Sequence, residues 1–221
     1  MKAQKNKRAV DRYFRSTAYH EAAHAVVGMA LGYPVEHIWV SKRLAPTNRS
    51  DPLNGLDGRV RHSSRDDFRG PNPLLAIFSI AGPVADRMLG NPKEARKPGA
   101  ADYIVWSLWS ELPSNDFGSF FDSEGDHWQM FDKVANHDEF KAIVAIAHSL
   151  LFTYWAAVEA IAQDLIRRAK TSRRRIVKMG PRVVKKLFET ASGLSAPLGP
   201  DRVTTTKELL ALFEDGLEYE Y

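Results

Sequence analysis

The sequence predicts a mainly α fold, α+β with a small β element, and three observations carry that expectation. Apolar residues recur at helical spacing in long stretches, most of all in 138–170, where Ile143, Ile146, Ala147, Leu150, Leu151, Tyr154, Val158, Ile161, Ala162 and Leu165 keep one stripe. Strand-like alternation is confined to two short segments near 35–40 and 58–62. Finally, 221 residues with 44% hydrophobic content suffice for one sizeable core, with room for a small appendage.

Each element follows in chain order. Ser16-Thr17 offers an N-cap to a helix over 18–31, rich in alanine and free of internal proline, which Gly32 and Tyr33-Pro34 end. Val35-Glu36-His37-Ile38-Trp39-Val40 alternates as a strand does, and a polar loop over about 43–57 leads to a second short strand at 58–62. Helices follow at 73–89, with Gly82-Pro83 embedded, and at 100–112. A turn-rich loop covers 113–125. Beyond it the pattern predicts helices at 126–135, 138–170 and 181–191, a linker at 192–200 and a last helix at 205–217. Organisation is read as a basic N-terminal tail (1–14), a main domain (15–175) and a helical C-terminal appendage (176–221).

Composition narrows the chemistry. With no cysteine in the chain, disulfides, thiolate zinc sites and a cysteine nucleophile are excluded together, so a metal must be held by His, Asp or Glu. No apolar run is long enough to span a bilayer, and the first residues lack the apolar core of a secretory signal, so a cytoplasmic location is expected. The net charge of +4 hides uneven placement: 1–15 holds six basic residues against one acid, and 167–186 holds ten against none. Such runs could meet nucleic acid, an acidic substrate or an acidic partner. Aromatic residues do not interleave with these charges, however, so a solvated face is the simpler reading and nucleic acid an unlikely partner.

The chemistry-bearing segment is His20-Glu21-Ala22-Ala23-His24. On a helix, histidines four apart return to nearly the same azimuth one turn apart, so both imidazoles can grip one tetrahedral zinc ion. Glu21 falls beside them, where its carboxylate can take a proton from zinc-bound water during attack on a peptide carbonyl. The bland alternative is a pair of core histidines satisfied by carbonyls, with Glu21 merely exposed. A catalytic zinc ordinarily has a third protein ligand. The metzincin continuation needs Gly at 27 and His at 30, where Val27 and Ala30 stand. A thermolysin-type glutamate is also missing, because Glu36 lies in the strand and helix 73–89 offers only Asp86.

With TAYHEAAHAVVGMALGYPV (17–35), IAGPVADRMLG (80–90), SEGDHWQM (123–130) and SLLFTYWAAVEAIAQDLI (149–166) in view, the chain resembles the FtsH-type zinc metallopeptidase domain, in particular its small stand-alone bacterial members lacking the AAA ATPase module. The resemblance spans about residues 15–175. It implies a zincin-like helical peptidase domain and a His/His/Asp zinc site. Asp126, which follows a loop and opens a helix, is the favoured third ligand. Asp102, in Pro98-Gly99-Ala100-Ala101-Asp102, is the alternative, and either could be an ordinary N-cap aspartate. His127 could be a further ligand or a donor to one, although a surface role is the plainer reading. Asp86, where the family usually has Glu, could orient a zinc-bound histidine. Ala23 stands where the family has Gly.

The sequence-level conclusion is a zinc metalloendopeptidase of the HExxH type, with His20, His24 and Asp126 on the metal and Glu21 as general base. No GxxxxGK[ST] run occurs, so the enzyme is expected to work without its own ATPase on a protein or peptide substrate. The resemblance implies a homo-oligomer or a separate unfoldase as partner. The alternative is a non-catalytic, zinc-stabilised peptidase-fold interaction module that uses the basic 167–186 segment.

Overall fold

A computed structural model describes residues 2–33, 35–42, 58–62, 73–109 and 137–193. The described chain is mostly helical with one small sheet: α1 (Lys2–Ala30), β1 (Val35–Ser41), β2 (Gly58–His62), α2 (Pro73–Gly90), α3 (Pro92–Ala95), α4 (Ala101–Trp109), α5 (His137–Thr153), α6 (Trp155–Thr171), β3 (Ile176–Met179) and α7 (Pro181–Ser192).

Helix α1 is the axis of the molecule, packing against α2, α6, the sheet, α5 and α7. Its second half has almost no polar face: Ala18, Tyr19, Ala22, Ala23, Ala25, Val26, Val27, Ala30 and Leu31 are all buried. Contacts on every side therefore hold this helix, as an all-round apolar surface requires. It ends in a Schellman motif, in which Gly32, with φ 88°, donates to the Met29 carbonyl and Tyr33 donates to the Gly28 carbonyl. The start differs from the expected cap at Ser16-Thr17, since the helix runs back to Lys2. Residues 2–15 contain no breaker and many helix formers. The Thr17 hydroxyl donates back to the Tyr13 carbonyl inside the helix instead of capping it.

The three strands are antiparallel in the order β2-β1-β3. Ile38 and Val40 of β1 are fully buried, as are Val177 and Met179 of β3, so one face of the sheet closes over the helices. Strand β3 was not anticipated. Its alternation, with Ile176 and Lys178 exposed and Val177 and Met179 buried, is hidden in sequence by the arginines that precede it. Strand β3 pairs with β1, and α7, which follows it, packs on α6 and β1.

The stretch expected as one helix over 138–170 is two, bent by 74° at Tyr154. No proline or glycine marks the break. Tertiary anchoring sets it: the Trp155 ring stacks on Tyr19 at 6.1 Å, lies beneath the Arg96 guanidinium at 4.1 Å and donates its indole N–H to Glu159. Among the described residues no single helix is long and apolar enough to cross a membrane. The helices expected at 126–135 and 205–217, and the loops at 43–57 and 113–125, lie outside the described residues.

Candidate metal centre

The two histidines meet where α1 crosses α2. Each imidazole is held through its Nδ1: His20 by a carboxylate oxygen of Asp86 at 2.8 Å, His24 by the Phe78 carbonyl at 2.7 Å. A carbonyl or carboxylate oxygen can only accept, so each Nδ1 donates, and in the neutral ring each Nε2 then carries a lone pair. Those two nitrogens face each other at 3.1 Å, with ring centroids 4.8 Å apart. Two lone pairs at that distance repel, and either a proton shared between the rings or a metal cation bound by both relieves the repulsion. Two ligands about 2.05 Å from one tetrahedral zinc would lie about 3.3 Å apart, close to the spacing seen here.

Helix α2 lies close against both rings. A methyl group built on Gly82 would lie 2.4 Å from Nε2 of His20 and 2.5 Å from Nε2 of His24. Only a residue without Cβ lets α2 lie this close across the pair. Pro83, next in sequence, removes the N–H that would otherwise bond the Ser79 carbonyl, which loosens the helix one residue from the carbonyl that holds His24. Asp86 bonds His20 with one oxygen and receives the Ser16 hydroxyl on the other at 3.4 Å. This carboxylate–histidine arrangement fixes ring tautomer and orientation in metal sites generally.

Glu21 is 5% exposed. It packs against the start of β2, where a Cβ on Gly58 would come within 2.6 Å of Glu21 Oε1 and 2.7 Å of its Cγ. A second glycine thus lets a strand reach the motif helix. The burial excludes the reading in which Glu21 is merely an exposed helix residue.

Of the predicted site residues, His20, Glu21, His24 and Asp86 come together. Asp102 does not join them: it sits in the first turn of α4, its side chain 74% exposed and paired with Lys141 at 2.7 Å. Its acidic charge at a helix start has an ordinary explanation there. Among the described residues no group of three His, Cys, Asp or Glu side chains is arranged to hold a metal ion. Asp126 and His127 lie outside the described residues. The two glycines escaped the motif reading because their role is to be absent from a space that only the packing defines. The embedded Gly82-Pro83 was the one sequence signal that could have pointed to it.

His148 is buried on α5, its Nε2 donating to the Ala95 carbonyl at 2.9 Å. Burial pushes its pKa below 6.5 and outweighs the opposing effect of that hydrogen bond. It braces α5 against α3 and is no part of the centre. No protein-family model and no curated protein matches the chain.

Proposed function

We propose that the chain is a zinc-dependent endopeptidase with a zincin-like arrangement, akin to the FtsH-type peptidase domain that its motif segments resemble. The observation that carries this reading is the approach of the two Nε2 atoms to 3.1 Å, with both Nδ1 positions turned to acceptors on α2. His20 and His24 would hold zinc, and an aspartate, Asp126 by preference, would complete the protein ligands. When bound, the ion supplies Lewis acidity, bringing the pKa of a coordinated water to about 7 and polarising the scissile carbonyl.

The remaining roles fall to the chain itself. Asp86 keeps the His20 ring turned so that Nε2 faces His24. The Phe78 carbonyl does the same for His24. Glu21, buried against Gly58, accepts the proton of the attacking water and passes it to the leaving amine. Strand β2, beside Glu21, is at the edge of the sheet among the described residues, where an extended peptide would add as a further strand. An extended, unfolded segment suits that geometry better than a folded domain.

The test is cleavage of casein by the full chain with zinc, with and without chelator, for wild type and Glu21→Gln. The variant is expected to bind zinc stoichiometrically and to lose at least a hundredfold in cleavage rate, as loss of a general base does. Wild-type-like cleavage by Glu21→Gln would refute the role of Glu21. Stoichiometric zinc without any chelator-sensitive hydrolysis would point instead to a peptidase fold retained for binding.

A further inference from the structure

The sheet has a second face, turned away from α1, and its register gathers charges that are scattered in sequence. Residues directly opposite in antiparallel strands share a face. Trp39 of β1 is opposite Arg59 of β2 on one side and Lys178 of β3 on the other, while His37 is opposite Arg61. The buried Ile38 and Val40 lie on the other face. Trp39 is therefore a half-buried aromatic ring flanked on both sides by exposed cations. Arg173, Arg174 and Arg175, all exposed, lead into β3 beside this row. The carboxylate of Glu36 is already held by Arg61 at 2.9 Å, and among the described residues neither Arg59 nor Lys178 makes an ion pair.

We propose that this outer face binds a single-stranded nucleic acid, with Trp39 stacking on a base and Arg59, Lys178 and the three arginines before β3 meeting its phosphates. Adjacent strands lie about 4.8 Å apart, so the two flanking cations start about 10 Å from each other with the ring between them. A base stacked at the centre would then have backbone phosphates within reach on either side. An acidic polypeptide would satisfy the cations equally but has no use for the ring. The linear run 167–186 lacks interleaved aromatics, and the sheet supplies one from a strand some 130 residues earlier in the chain. Stacking platforms beside a basic groove are how single strands are held without sequence preference. The face is opposite the one that covers Glu21, so this binding is separate from the proposed peptidase chemistry.

Fluorescence anisotropy of a labelled oligothymidylate of about 15 nucleotides, titrated with the full chain, tests the assignment. Wild type is expected to bind, with log K falling against log salt at a slope of about −3.5 for some five neutralised phosphates. Trp39→Ala should weaken binding at least tenfold, Trp39→Phe should recover most of it, and the exposed double charge reversal Arg59→Glu/Lys178→Glu should abolish it. No wild-type binding at about 50 mM salt would overturn the proposal. So would a Trp39→Ala variant that binds like wild type, or equal affinity for polyglutamate that is indifferent to Trp39→Ala. Circular dichroism confirms that each variant is folded.

Discussion

Gly82→Ala puts the proposed metal centre to its sharpest test. The added methyl carbon would lie 2.4 Å and 2.5 Å from the two Nε2 atoms, whereas ordinary carbon–nitrogen contact needs about 3.4 Å or more, so the overlap is about 1 Å on each ring. The rings cannot retreat freely, because Asp86 and the Phe78 carbonyl on the same α2 helix hold them from behind. Either α2 backs away from α1 or the imidazoles rotate, and both destroy the shared focus of the lone pairs. Overpacking of this kind costs about 1–3 kcal/mol, while Gly to Ala within a helix returns up to about 1 kcal/mol, so net destabilisation should stay near 0–2 kcal/mol. For a chain of this size that lowers Tm by at most about 8 °C. Zinc affinity should fall far more, by at least a hundredfold. Competition with a chromophoric chelator measures the affinity and a thermal melt measures the fold. A Gly82→Ala protein that takes up zinc with wild-type affinity would show that the ion does not sit where the two nitrogens point.

Three other perturbations separate the parts of the site. Gly58→Ala would press its methyl to within 2.6 Å of Glu21 Oε1; zinc binding should survive while casein cleavage drops at least tenfold, which paired zinc and activity assays would detect. Asp126→Ala should weaken zinc binding at least tenfold, whereas Asp102→Ala, which removes only an exposed ion pair with Lys141, should leave it unchanged and alter stability by less than about 1 kcal/mol. His148, held below 6.5 by burial against the hydrogen bond from its ring to Ala95, stays neutral in the folded chain where the unfolded chain takes up a proton. Its contribution to stability is thus complete above about pH 6.5 and is lost as pH falls through the lowered value. Urea melts at about pH 7.5 and pH 5.5 should show a smaller loss for His148→Gln than for wild type.

How much of this was legible beforehand depends on whether the signal was local. The motif helix, its glycine stop, both early strands and helix α2 follow from periodicity and punctuation within about twenty residues, and each was readable. The break at Tyr154 was not, because Trp155 is turned by partners on α1 and the α3–α4 connection, Tyr19 and Arg96, far away in sequence. Strand β3 was masked by its own charges: a four-residue strand with Lys178 outward and three arginines ahead of it looks like a solvated run until β1 pairs with it. In the site, His20, Glu21 and His24 were readable because one helical turn brings them together. The role of Asp86 could be guessed from resemblance. Asp102 competed in sequence with the favoured Asp126, and its exposure and its pairing with Lys141, which only the fold reveals, keep it away from the histidines.

The HExxH spacing by itself supplies two imidazoles on one face of a helix, and that is insufficient for chemistry. A free imidazole can rotate about its χ angles and carry its proton on either nitrogen, so the motif alone specifies neither where the lone pairs point nor which atoms hold them. Both choices are made by α2, through the Asp86 carboxylate on one ring and the Phe78 carbonyl on the other. The same helix must come close enough to make those bonds without filling the space they create, which is what Gly82 permits. Gly58 solves the equivalent problem for β2 and Glu21. Helix α2 and strand β2 thus each reach the motif helix closely because a Cβ is missing at the point of contact, Gly82 at the histidines and Gly58 at Glu21. If the two histidines hold zinc as proposed, they should do so only while α2 stays docked on α1, so that zinc binding and the packing of these helices would depend on each other.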